Sequence, residues 1–255
     1  MPQLEAVQDA AEAFLVLLLA HGARQVFINP GTDTFPLQEA WARRRERGLA
    51  SPEPVMCLHE HTAVSAAHGF FLGSGQPQAV LVHVDAGTLT NRPWVHTHLA
   101  PEEGETLFTP GGSSLGWAPN AAIGVKLARP ERLVVALVGD GGFVFCNPLS
   151  ALWSAQRAGA PFLTVIFNNG GYKASVAPIP ALYPGGAVER LHDGLVTAIQ
   201  PAPDYARVAE ASGAFGVCVR EPGELQPALR RALDEVEHGR CAVVDAVLQP
   251  IGRAR

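Results

Sequence analysis

The stretch "VVALVGDGGFVFCNPLSALWSAQRAGAPFLTVIFNNGGY", residues 134–172, constrains the fold more tightly than any other part of the chain. Two apolar runs, "LVVALVG" and "FLTVIFN", flank a helix-like segment at 148–158. Neither run alternates polar with apolar residues. A short strand that is apolar throughout is buried on both faces, the habit of parallel sheets covered by helices on each side. One crossover helix between two such strands sets their carboxyl ends close together, so the "GDGG" and "NNGG" that end them are expected to be neighbours.

The same alternation runs through most of the chain. A helix over 4–21 stops at Gly22, a natural C-cap. Strand "QVFIN", a helix over 35–47, strand "VMCLH", an alanine-rich helix over 60–72 and strand "QAVLVHVD" follow. Between 86 and 119 Gly, Pro, Thr and Ser dominate and no element is predicted, which marks a functional loop or a boundary. Alternation resumes with a helix over 120–127, the two strands and helix already quoted, a helix over 205–211, strand "FGVCVR", a helix over 224–237 and strand "CAVVDAVL". The expectation is an α/β chain of two lobes, 1–92 and 93–255, each a parallel sheet flanked by helices.

Composition narrows the partners. Apolar residues make up 47% and charged residues 17%, a globular balance, and the net charge of -5 with no long basic run argues against nucleic acid. The cluster 43–47, rich in arginine, falls at a helix end, where positive charge suits the terminal carbonyls. Cys57, Cys146, Cys218 and Cys241 are far apart, with no CxxC pair, which suggests small buried hydrophobes in a reducing compartment. "AFLVLLLA" is too short for a membrane span and follows acidic residues, so a core helix, no signal peptide, no membrane association and a cytoplasmic setting are expected.

Asp140 and Asn169 stand 29 positions apart, each at a strand end where α/β ligands sit. A carboxylate and an amide oxygen suit a hard cation such as Mg²⁺, the glycines allow close backbone approach, and a helix starting near 147 offers amide donors to an anion. A diphosphate held through a metal is one reading; a tight turn and a strand-ending loop is the other. Glu60 opens its helix ahead of the small residues Ala63, Ala66, Ala67 and Gly69, which permit close packing. As a plain helix-start acid it would contribute only ~0.3–1 kcal/mol. His59, His61, His68, His96 and His98 have no zinc spacing, and no motif assigns them a role.

Together, "GDGG…NNGGY", "GGSSLGWAPNAAIGVKLA", "INPGTDTFPLQEA" and "LHEHTAVSAAHGFFLGSGQPQAVLVHVDAGT" resemble the thiamine diphosphate (ThDP)-dependent enzymes, most closely the acetolactate synthase, benzoylformate decarboxylase and pyruvate decarboxylase group. The resemblance covers nearly the whole chain, with its motifs in family order. It implies ThDP and Mg²⁺ as cofactors, with Asp140, the Asn169 side chain and the Gly171 carbonyl on the metal. Gly139, Gly141 and Gly142 would lie along the diphosphate. Glu60 matches the acid that exchanges a proton with the aminopyrimidine ring, Leu115 the bulky residue under the cofactor, and Ser113 a backbone carbonyl that accepts from the ring amino group. A flavin is not expected.

In activity, the resemblance implies decarboxylation of a 2-keto acid, or acetolactate synthase-like carboligation. In assembly, it implies a homodimer or higher homo-oligomer, because family sites form between the first domain of one subunit and the last domain of another. The junction at 90–93 departs from the family pattern. It runs from the first domain almost directly into the last, without a middle domain or the rest of the first. The alternatives are a catalytically impaired ThDP-fold protein and a partner subunit of a longer relative. An α/β nucleotide binder is a weaker option, since the "GDGG" loop has no lysine and no Walker pattern.

Overall fold

A computed structural model describes residues 7–28, 35–76, 78–81, 108, 115–172, 184 and 198–248. The N-terminal lobe comprises α1 (Ala10–Ala20), β1 (Gln25–Ile28), α2 (Phe35–Glu46), β2 (Glu53–Met56), α3 (Glu60–Ser74) and β3 (Ala79–Leu81). The C-terminal lobe comprises α4 (Trp117–Ala128), β4 (Val135–Gly139), α5 (Asp140–Phe145), α6 (Pro148–Arg157), β5 (Leu163–Asn168), α7 (Tyr205–Ala211), β6 (Phe215–Val219), α8 (Pro222–Glu237) and β7 (Ala242–Val247). Among the described residues every pairing of strands is parallel, in the orders β2-β1-β3 and β4-β5-β7-β6. The parallel α/β fold read from the apolar runs is therefore present, as two small sheets.

Local chemistry sets the element ends. Asp9 caps α1 by accepting from the Glu12 N–H at 2.8 Å. Glu12, fully buried, accepts from Arg44 at 3.1 Å and Arg47 at 2.8 Å, and so ties α1 to α2. Helix α3 stops at Gly75, whose φ of 69° only glycine adopts without strain. Asn147 caps α6 with Pro148 in the first turn, and Glu221 and Glu224 form a reciprocal capping box on α8.

Several boundaries differ from the expected ones, among them the start of α1, at Ala10 and not at residue 4, because Asp9 caps it. Strand β2 lies at Glu53–Met56, two residues before the predicted "VMCLH", because His59 caps α3 and the chain must turn ahead of it. Pro54 is tolerated there because β2 is an edge strand. Helix α4 begins at Trp117, three residues early, since Pro119 fits a first turn whose N–H groups have no helical partner. "DGGFVF", for which no element is predicted, is the short helix α5.

One apolar core runs through both lobes. It joins Phe27, Val55 and Phe70 to Ile123, Phe143, Phe162, Ile166 and Val243. At its centre α3 crosses α4 at backbone contact. A methyl placed on Gly124 would lie 1.7 Å from the Ala66 carbonyl oxygen, and one on Gly69 would lie 2.1 Å from that of Ala121. The small residues noted around Glu60 serve this crossing.

Candidate functional site

Asp140 follows directly on β4, and Asn169 directly on β5. The register pairs Gly139 with Phe167, so the two residues leave adjacent strand tips. Asp140 is 1% exposed. Burial pushes its carboxyl up from the usual range, opposed by the backbone N–H groups of Asn169, Gly141 and Gly171 that point at it. Asp140, Asn169 and Gly171 are thus brought together. Gly171 has a φ of 149° and bridges Ala198, which holds the "NNGG" turn in place.

Among the described residues two oxygens at this point have no hydrogen-bond partner: Asp140 Oδ2 and Asn169 Oδ1, both buried. An orphaned buried acceptor costs about 1–3 kcal/mol, more when charged, so two at adjoining strand tips call for donors or a cation. A second buried acid adds to the demand. Asp245, on β7, accepts from Asn168 Nδ2 at 3.0 Å, and its carboxyl is pushed up first by burial and further by the charge of Asp140. Among the described residues no cluster of three or more His, Cys, Asp or Glu could hold an ion. A cation here would rest on Asp140 with amide and backbone oxygens, a hard-oxygen set of the kind Mg²⁺ takes with phosphate and water. Beside it opens a cavity of about 380 Å³, lined in part by Asn169, Gly170, Gln200, Cys218, Arg220 and Asp245.

The glycines after Asp140 are filled space. A methyl on Gly141 would sit 2.6 Å from the Tyr172 ring, and one on Gly142 would sit 2.9 Å from Val138 and 3.7 Å from Leu115. Leu115 therefore lies over the middle of α5. Glu60 belongs to the other end of that helix. His61 meets Phe145 edge-on with ring centroids 6.1 Å apart, and Thr62 Oγ1 lies 3.0 Å from Ser150 Oγ at the start of α6. Asp140 and the Glu60 end of α3 thus flank α5, six residues and roughly 9 Å long, with Leu115 between them. The Glu60 side chain is 38% exposed, and its carboxylate lies 3.8 Å from His59 Nδ1. Ser113, His96 and His98 lie outside the described residues.

Sequence reasoning left several contributors unassigned. Asn120, buried inside α4, donates from Nδ2 to the carbonyls of Gly116 and Cys146 and fastens the Leu115 loop to α5. Its signal was available: an asparagine in an otherwise apolar helix needs partners. Burial pushes the His61 imidazole below its usual pKa, against the Gly116 backbone, which raises it, and among the described residues its Nε2 has no hydrogen-bond partner. Asp245 sits in a run that reads as plain strand, and only the sheet order places it beside Asn168.

The fold defines a class: a parallel α/β protein with polar groups at adjacent strand tips, and a second lobe whose helix α3 starts against the short helix α5. Residues 85–246 match the thiamine pyrophosphate enzyme C-terminal TPP binding domain, and residues 8–97 match the N-terminal TPP binding domain. The chain belongs to the thiamine pyrophosphate enzymes. The two matches overlap at 85–97, so no further segment stands between them. The acetolactate synthase large subunit IlvG of Mycobacterium tuberculosis is 37% identical over 137 residues, 53% of this chain and 22% of that protein. The sulfoacetaldehyde acetyltransferase of Alcaligenes xylosoxydans xylosoxydans is 25% identical over 211 residues, 82% of this chain and 31% of that protein. A solved thiamine diphosphate-dependent 4-hydroxybenzoylformate decarboxylase from Rhodococcus jostii RHA1 aligns with a TM-score of 0.44 and 27% identity, covering 53% of this chain and 23% of that one. The chain spans about a fifth to a third of the length of these relatives. No helix among the described residues is long and apolar enough to cross a membrane.

Proposed function

We propose that this chain binds ThDP through Mg²⁺ and acts on a small 2-keto acid, by decarboxylation with or without carboligation to a second carbonyl. The reading rests above all on the two partnerless buried oxygens, Asp140 Oδ2 and Asn169 Oδ1, at adjoining strand tips. Asp140, Asn169 and the Gly171 carbonyl would hold the metal. Gly139, Gly141 and Gly142 would lie along the diphosphate, and Leu115 would supply the apolar support over α5. ThDP, when bound, supplies the electron sink for breaking the bond next to the keto carbonyl. The work left to the chain is binding, orientation and one proton. Glu60, at the far end of α5 from Asp140, is placed to hold and return that proton, and Ser113 would accept a hydrogen bond from the ring. A soluble setting in the cytoplasm accompanies this reading, as does the division at 92/93, which falls where the two family matches overlap.

The test is CO₂ release from pyruvate or benzoylformate with ThDP and Mg²⁺. Glu60→Gln is expected to lower kcat by about 10²–10⁴-fold, the usual share of acid–base catalysis, while ThDP affinity stays within a few-fold. A variant as fast as the parent removes Glu60 from the chemistry. The exposure of the Glu60 side chain, at 38%, favours a second reading: a chain that binds the cofactor without turnover, alone or as the partner of a longer relative. ThDP uptake with no CO₂ release from either keto acid would select it.

A further inference from the structure

We propose that Asp245, on β7, is a positioning residue for the metal-binding turn: through Asn168 it holds the "NNGG" segment in the shape that aims Asn169 and Gly171. This rests on the Mg²⁺–ThDP reading for what the turn binds, whereas the contacts that form the relay stand apart from that reading. Asp245 calls for a reason of its own. It is 4% exposed in a strand where Val244 and Ala246 flank it, and a buried carboxyl is costly unless hydrogen bonds answer it.

The relay runs from strand to turn. The register sets Asp245 opposite Ile166 and Val247 opposite Asn168, so Asp245 and Asn168 are diagonal neighbours on one face of the sheet. Asn168 Nδ2 donates to Asp245 Oδ1 at 3.0 Å, and Asn168 Oδ1 accepts from the Gly170 N–H at 3.2 Å. The backbone is gripped as well. The Leu248 N–H donates to the Asn168 carbonyl at 2.7 Å, and the Ile199 N–H donates to the Gly170 carbonyl at 3.1 Å. An amide has a donor end and an acceptor end, and Asp245 decides which faces which way. A carboxylate accepts and cannot donate, so the NH₂ must turn to Asp245, which leaves Oδ1 for Gly170. Without Asp245 the amide is free to flip, and a flipped NH₂ would meet the Gly170 N–H donor to donor. The bond that closes the turn at Gly170, whose φ is 81°, would then be lost. Asn169 precedes Gly170 and Gly171 follows it, so both oxygens assigned to the ion move with that bond.

The full-length chain carries its own probe, because Asn169–Gly170 is the one Asn-Gly pair in the sequence. Labelling asparagine carbonyls with ¹³C and glycine amides with ¹⁵N isolates the Gly170 N–H, whose exchange with D₂O reports the turn. Mn²⁺ uptake in the presence of ThDP, followed by electron paramagnetic resonance, reports the site. Asp245→Val should quicken Gly170 exchange at least about tenfold. It should also weaken Mn²⁺ by about 10–100-fold, the usual effect of removing a partner behind a metal ligand. Asp245→Asn keeps an acceptor and should stay within a few-fold of the parent on both measures. Asn168→Ala should match Asp245→Val, and the double variant should be no worse than either alone, since the two residues act in series. Parent-like exchange and affinity in Asp245→Val would overturn the proposal. So would an Asp245→Asn variant as damaged as Asp245→Val, which would assign the effect to charge. Asp245→Ala repeats the comparison with a smaller side chain; if neither apolar variant folds, Asp245 serves the sheet and the proposal falls. A parent that takes up no Mn²⁺ would overturn it through the ThDP reading, with Gly170 exchange still showing whether the relay is intact.

Discussion

Replacing Gly124 by alanine sets two effects of opposite sign against each other. In an exposed helix interior the change would stabilise by up to ~1 kcal/mol, since alanine is the better helix former. In α4 the added methyl would stand 1.7 Å from the Ala66 carbonyl oxygen and 2.5 Å from the Phe70 nitrogen. Carbon–oxygen contacts settle near 3.3–3.6 Å, so α3 and α4 must part locally by about 1.5 Å or more. A gap of even 0.5–1 Å forfeits a quarter to a half of each dispersion well along the crossing. Overpacking of this kind costs about 1–3 kcal/mol, occasionally more, and exceeds the propensity gain. With roughly 2–4 °C per kcal/mol for a chain of this size, Tm should fall by about 2–12 °C in a calorimetric melt. Gly223→Ala is the control: α8 has nothing within 4 Å of that methyl, and Tm should hold or rise slightly. A Gly124→Ala variant melting at or above the parent temperature would refute the backbone contact and, with it, the close crossing.

Other perturbations separate the remaining contacts. Thr62→Val leaves the buried Ser150 hydroxyl without its partner and should cost about 1–3 kcal/mol, while Thr62→Val with Ser150→Ala should cost less than the two single changes summed, as read by denaturant melts. In the N-terminal lobe, the Gln8 N–H foremost, with Arg47 and Arg44, holds Glu12 below its usual value, and the Glu12 N–H foremost, with Arg43, does so for Asp9. Depressed folded-state values add stability that is present above the unfolded values and lost as pH falls through the folded ones. Acid should therefore loosen this lobe below about pH 4.5, and Glu12→Gln should lower Tm at pH 7 and flatten that acid limb.

Much of this was legible from residue order because the signals were local. Uniformly apolar runs between helical segments announce a parallel sheet whatever the rest of the chain does, and the strand-end positions of Asp140 and Asn169 follow from that. Helix α5 was hidden because two of its first three residues, Gly141 and Gly142, are glycines, which favour a turn in isolation. Burial of Phe143 against Tyr205 and closure of Tyr172 over Gly141 override that preference. The early start of α4 was hidden by Pro119, which reads as a breaker unless it is known to lie in a first turn. The alanine and glycine positions of α3 signalled a close neighbour but could not name it.

Titration of ThDP into the protein by calorimetry, with and without Mg²⁺, bears most directly on the paired oxygens at the strand tips. Saturable binding that requires Mg²⁺ is expected, weakened at least about tenfold by Asp140→Asn and by Asn169→Ala, since each removes a charged or oxygen partner worth some 1.5–3 kcal/mol. Binding indifferent to Mg²⁺ and to both substitutions, or none at millimolar ThDP, would contradict the assignment of Asp140 and Asn169 to a metal-held diphosphate.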